Sequence, residues 1–181
     1  MKRFTLLAPL ALLSLAPLNA NALLIIDPAI TPAALTGNQT SQAEIDVVIA
    51  GALGTSIEIY KQNVGAGESG SFASSYKTTF SNSATDPEDA LIEYVGGAVA
   101  SATHLLVKDG NQEPAWYLFA ISGWNGIESI SLENFWPQQG AISHVTLYGG
   151  GTTTRVPEPG TMGLLGAGLL AFGFMRRRKA A

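Results

Sequence analysis

Trp116-Tyr-Leu-Phe-Ala-Ile121, then Ser122-Gly-Trp-Asn-Gly126, then Ile127-Glu-Ser-Ile-Ser-Leu132, is the stretch whose reading decides the fold. The first segment is a short apolar run bounded by turn residues, the length of a buried strand and too short for a stable helix. The last alternates, so Ile130 and Leu132 share one face and are expected to point inward. Asn125-Gly126 stands between them. That dipeptide adopts the positive φ angles of tight β-turns, which makes it the strongest short hairpin signal in the chain.

The same punctuation continues in both directions. Ala141–Tyr148 sets Ile142, His144 and Thr146 against Val145 and Leu147. Upstream, Ile57–Tyr60, Phe72–Phe80, Ala90–Tyr94 and His104–Val107 are further short strand candidates. Turn signals at Gly65–Gly70, Asp86-Pro87, Asp109-Gly110-Asn111 and Pro137–Gly140 separate them. About seven short strands at this spacing predict a mainly β fold, an antiparallel sandwich or jelly roll. One helix is expected before them. Ser41-Gln-Ala-Glu44 has capping-box spacing, Ile45, Val48, Ile49, Ala52 and Leu53 recur on one face, and Gly54 supplies a terminator. Residues 23–40, with Pro28, Pro32 and Gly37, read as an extended lead-in.

Both ends of the chain carry a different kind of signal. Met1-Lys2-Arg3 is positive, Phe4–Leu18 is largely apolar, and Ala20-Asn21-Ala22 is a small-x-small cleavage site, the pattern of a secretory signal peptide. At the other end Pro157-Glu158-Pro159 forbids helix and keeps the backbone extended. Thr161–Met175 then runs without charge into Arg176-Arg177-Arg178-Lys179. Fifteen apolar residues span roughly 22 Å as a helix, enough for a thin transmembrane segment when the arginine stems snorkel. The basic cluster places the C-terminus in the cytoplasm and the rest outside. The expected organisation is a signal peptide over 1–22, an exported domain over 23–155, and a sorting segment over 156–181.

The C-terminal segment resembles the PEP-CTERM sorting signal of exosortase substrates. Val156, Pro157, Glu158, Pro159, Gly160 and Thr161, the Gly/Leu/Ala/Phe run and Arg176–Lys179 carry the likeness. It implies a bacterium with an outer membrane that makes extracellular polysaccharide. It also implies an exosortase-type enzyme that recognises the motif, removes the tail and passes the protein to the cell surface or matrix. The stretches Leu105–Gln112, Ala115–Phe119, Ser122–Gly126 and Gln139–Val145 are similar to domains found in such proteins. That likeness brings location and processing but no catalytic residues.

Removing both end signals changes the electrostatics. The whole chain has a formal charge of −4, yet between residues 23 and 158 only Lys61, Lys77, Lys108 and Arg155 remain against fourteen acids, giving −10. Such a surface repels nucleic acid and anionic membranes and attracts divalent cations. There is no cysteine, so neither disulfides nor thiolate metal sites enter. His104 and His144 lie in separate strand candidates and no nucleophile-elbow, zinc or phosphate-loop motif accompanies them. No catalytic residue is assigned. Calcium is the one cofactor considered, at Asp86, Glu88 and Asp89 or at Asp109, although neither loop has the ordered ligands of an EF-hand.

Trp124, Asn125 and Trp136 form the candidate carbohydrate contact, since indole faces stack on sugar rings and amides bond hydroxyls. The alternative is that Trp116 and Phe119 are core while Trp124 and Trp136 plug the ends of the sandwich. The function expected is therefore that of an exported, surface- or matrix-directed, non-enzymatic protein associated with polysaccharide. A secreted hydrolase and a purely structural matrix subunit are the alternatives.

Overall fold

A computed structural model describes residues 23–54, 57–83, 85–109, 112–137 and 140–149. The expected signal peptide, the sorting motif Pro157–Pro159, the apolar segment 161–175 and the basic stop Arg176–Lys179 lie outside these residues.

The elements are β1 (Leu23–Ile26), β2 (Leu35–Gly37), α1 (Gln42–Leu53), β3 (Glu58–Asn63), β4 (Glu68–Ser69), β5 (Tyr76–Ser81), β6 (Asp89–Tyr94), β7 (Ala102–Lys108), β8 (Trp116–Ala120), β9 (Ser129–Leu132) and β10 (His144–Gly149). They form a four-stranded sheet in the order β1-β9-β6-β5 and a six-stranded sheet in the order β2-β8-β7-β10-β3-β4. Among the described residues ten strands thus replace the seven expected, and the supposed lead-in over 23–40 supplies two of them. Pairing is antiparallel except between β1 and β9, which run parallel from Leu23↔Ser129 to Ile26↔Leu132. That edge departs from the wholly antiparallel sandwich or jelly roll that the turn spacing suggested.

One core lies between the sheets. Ile26, Ala90, Ile92, Ile130 and Leu132 from the smaller sheet meet Ile59, Leu105, Val107, Phe119, Val145 and Leu147 from the larger. The inward pointing of Ile130 and Leu132 follows the expected alternation. The larger sheet is covered on its other face too. Ile45 and Ile49 of α1 sit with Leu106, Trp116, Leu118 and Tyr148 in a second cluster. Burial on both faces explains why β7 and β10 lack a clean inside–outside alternation: Leu105, Leu106 and Val107 are all fully buried.

The helix begins as its sequence dictates. Ser41 caps it, accepting from the Glu44 backbone N–H at 3.4 Å, while its hydroxyl donates to the Glu44 carboxylate at 2.8 Å. Gly54 closes it at φ 84°. The covered face is shorter than expected. Ile45 and Ile49 are buried and Val48 half-buried, but Ala52 and Leu53 are exposed.

Asn125-Gly126 does not make the expected hairpin, because β8 and β9 belong to different sheets. It makes a corner between them. Asn125 Oδ1 accepts from the backbone N–H groups of Ile127 and Glu128, both at 2.9 Å, and Gly126 takes φ 80°. A Cβ on Gly126 would collide with Val99 and the Ala100 carbonyl, so only glycine fits. Opposite this corner, the hydroxyl of Tyr76 accepts from Ala100 N–H and donates to the Gly126 carbonyl, each at 2.8 Å. One buried hydroxyl therefore ties two of the inter-sheet connections, β6–β7 and β8–β9, to strand β5.

A polar seam crosses the helix-facing side of the larger sheet. Cross-strand register places His144 beside Lys108 and Asn63, and Thr146 beside Lys61 and Leu106. Lys61 donates to Gln42 Oε1 at 3.0 Å, Gln42 donates to Asp46 and Tyr148, and the Tyr148 hydroxyl donates to Asp46 Oδ1 at 3.0 Å. Burial, with Lys61 and Lys108 adding to it, pushes the His144 imidazole down to about 3.

Two outcomes follow from these contacts. Tyr76→Phe keeps the ring and removes both bridging hydrogen bonds, leaving a buried N–H and carbonyl unpaired. Urea unfolding of the variant is expected to show a loss of about 1–3 kcal/mol. For His144, the folded state holds the imidazole neutral while the unfolded chain takes up a proton near the ordinary imidazole value of 6.5. Stability is therefore unaffected above that range and falls between about pH 6.5 and pH 3, by at most ~1.4 kcal/mol per pH unit. His144→Leu is expected to flatten the urea midpoint in that window relative to the parent. An identical slope in both proteins contradicts the assignment.

Candidate functional site

The outer face of the four-stranded sheet holds an open depression of about 300 Å³. Register builds it from the strands upward. Ser81 on β5 stands opposite Asp89 on β6, and Leu91 on β6 opposite Ser131 on β9, so these side chains share the solvent face. Glu133 and Asn134, just beyond β9, complete the rim.

A chain of hydrogen bonds fixes this end of the sheet. Asn82 donates to Asp89 Oδ2 at 2.6 Å, and the Asn134 backbone N–H donates to Asp89 Oδ1 at 2.9 Å. The Asn134 amide donates to Asp27 Oδ2 at 2.8 Å, and Asp27 Oδ1 accepts from Ala29 N–H at 2.8 Å. Ser131 donates to Glu133 Oε1 at 2.9 Å. Asn82 and Asn134 both take positive φ, 77° and 59°, a conformation that Asn tolerates better than most residues. The result is a shallow surface with a small apolar floor at Leu91 and a rim of hydroxyls, amides and carboxylates. It can exchange hydrogen bonds with a hydroxyl-rich molecule, but it is too open to exclude water.

The calcium candidates do not converge. Asp89 spends both oxygens on Asn82 and Asn134, and Asp109 is buried on a separate loop after β7. Among the described residues, no group of three His, Asp or Glu side chains is placed to hold a metal ion. The two histidines do not meet either. His104 stands opposite Tyr148, four positions along β10 from His144, roughly 13 Å at the rise of a strand.

The tryptophans are core. Trp124 and Trp136 are each only 8% exposed, and both indole N–H groups are used internally, Trp124 to the Glu128 carbonyl at 2.7 Å and Trp136 to the Pro114 carbonyl at 2.9 Å. Both belong to the core between the sheets, with different aromatic neighbours. Trp124 packs on Tyr76, while Trp136 packs on Tyr117 and Phe135. Asn125 is exposed but its side-chain oxygen is committed to the corner. Trp116 is fully buried, as expected, and lies in the second cluster under α1, with its N–H on Gln39 Oε1 at 3.1 Å. Sequence reasoning missed Asp27, Asn82, Ser131, Glu133 and Asn134. The asparagines carry a turn signal, but only the strand register brings them together.

Comparison with known proteins bears on the end of the chain rather than on this surface. No curated protein and no solved structure matches the chain. Residues 155–179, however, match the PEP-CTERM protein-sorting motif. That motif contains the Pro157-Glu158-Pro159 element and the basic residues Arg176–Lys179, and it implies processing by an exosortase and export toward the cell surface. The functional element identified in this chain is therefore a C-terminal PEP-CTERM protein-sorting motif.

Proposed function

We propose that this is a non-enzymatic cell-surface or matrix protein. Its C-terminal apolar segment holds it briefly at the inner membrane, with the C-terminus cytoplasmic, and an exosortase-type enzyme then removes the tail. The exported β domain works there by binding extracellular polysaccharide. The match of residues 155–179 to the sorting motif is the observation that carries this reading.

The ligand class rests on the outer face of the smaller sheet. Its depression offers hydroxyl, amide and carboxylate groups around Leu91, which suits an uncharged, hydroxyl-rich chain, whereas the domain's acidic charge disfavours an anionic one. Hydrolysis by Asp89 and Glu133 is disfavoured on physical grounds. Asp89 is committed as an acceptor to two loop donors, and an open surface cannot shield a general acid from water. With the indoles buried, contact passes through the depression rather than through Trp124 and Trp136.

Mass spectrometry of the protein from cells and medium is expected to find it without its tail, and an intact tail in an exosortase-competent cell contradicts the sorting reading. The processed protein is expected to be retained on polysaccharide from the producing cells. Leu91→Arg, which changes a half-exposed residue at the depression, is expected to abolish retention without altering the unfolding midpoint. No retention of the parent protein removes the polysaccharide assignment. Release of reducing ends that disappears in Glu133→Gln replaces binding with hydrolysis.

A structural role is favoured by one observation. Edge strand β1 contains no charge or proline, and its outward residues Leu23 and Ile25 are 52% and 49% exposed. Unguarded edges of this kind pair with other chains. If that role holds, sedimentation shows concentration-dependent assembly that Ile25→Lys abolishes. A monomer at all concentrations counts against it.

A further inference from the structure

α1 presents apolar residues on the side that no other element covers among the described residues. Ala43, Val47, Ala50, Gly51, Ala52 and Leu53 are exposed, Val47 at 72%, and Ile57 just beyond the helix is 48% exposed. The one exposed acid of the helix, Glu44, is turned to its Ser41 cap. Apolar residues on two sides of a helix normally have two sides covered. Here Ile45, Ile49 and Val48 take one side against the sheet, and the other side has no described partner.

The exit of the chain lies next to this face. The last described strand, β10, runs beneath α1. Tyr148 packs with Ile45 and Ile49 and donates to Asp46, and the Gly149 backbone N–H donates to the Ile57 carbonyl at 3.0 Å. Eleven residues, 150–160, then separate Gly149 from the uncharged segment that starts at Thr161. Fully extended they reach at most about 36–40 Å. A tether of that length raises the local concentration of whatever holds its far end into the millimolar range, so even a weak apolar contact is occupied.

The geometry points to a lipid surface as the partner of this face. While the C-terminal segment is anchored, the exposed side of α1, with Ile57, rests in the interface of the bilayer. The inference rests on the membrane-anchored stage of the proposed function. Charge selects the face. With a formal −10 over residues 23–158, the domain is repelled from anionic lipid elsewhere, and the exposed side of α1, whose single acid Glu44 is held by the Ser41 cap, can approach. Without lysine or arginine on that side, the contact is with the apolar boundary of the bilayer rather than with anionic headgroups. Removal of the tail ends the tethering and frees the domain.

The chain has no cysteine, so single labels are easily placed. The chain from Leu23 to the C-terminus, reconstituted into vesicles of uncharged phosphatidylcholine, carries a polarity-sensitive fluorophore at Val47→Cys, at Lys77→Cys on the far sheet, or at Ala167→Cys in the apolar segment. The expected result is a blue shift and quenching by nitroxide lipids at positions 47 and 167, with neither effect at 77. Quenching at 167 without quenching at 47 overturns this inference and leaves the anchor in place. No quenching at 167 overturns the anchor and the inference with it. A blue shift at 47 without lipid quenching assigns the face to a second copy of the chain, which also overturns it.

Discussion

A single buried hydroxyl pins two of the chain's crossings between the sheets at one end of their shared core. Tyr76 stands on an edge strand of the smaller sheet, yet its oxygen is shared by two of the segments that cross between the sheets, β6–β7 and β8–β9. Those crossings carry polar backbone into the end of the sandwich, where an unpaired group would cost about 1–3 kcal/mol. Burial pushes the Tyr76 phenol up to about 12, so it stays a neutral donor and acceptor across the ordinary pH range. Its ring lies against Tyr60, Tyr94 and Trp124 with centroids 5.7 Å apart, which joins β3, β5, β6 and the β8–β9 corner in one aromatic cluster. The packing of that end thus follows from where one oxygen finds its partners.

The sequence was legible where local rules and tertiary packing agree. The Ser41–Glu44 cap, the stop at Gly54 and the inward pair Ile130 and Leu132 all appear as their spacing predicts. It misled where a local signal serves a non-local end. Asn125-Gly126 has the backbone freedom of a hairpin turn, but Tyr76 and Ala100 use that freedom to turn the chain between sheets. Leu23–Ile26 and Leu35–Gly37 are too short and too flanked by proline to announce themselves, and their partners β9 and β8 lie far along the chain. Trp116 is buried as its run predicts, and only the covering of β8 on both faces assigns that side chain to the helix layer rather than to the space between the sheets.

The functional elements divide along the same line. A sorting motif is read as a linear sequence, by position and residue order, so its residues could be named without any fold. The surface depression is the opposite case. Asp27, Asn82, Asp89 and Asn134 come from four separate segments and meet only because β5, β6, β9 and β1 lie side by side in fixed register. Nothing in the spacing of those residues encodes the meeting. The buried indoles make a related point, because residue type alone does not distinguish a Trp that stacks on a ligand from one that fills a corner.

The parallel pairing of β1 with β9 has a consequence for how the chain leaves the cell. In an exported chain threaded from its N-terminus, β1 crosses first but must wait for β9 before its edge is filled, and β3 and β7 must wait for β10 to come between them. Contacts so distant along the sequence form slowly and leave apolar surface exposed in the meantime. The last strand to emerge is therefore the one that completes the larger sheet, and the apolar segment follows it closely. The larger sheet therefore closes only when the described strand nearest the sorting motif has emerged.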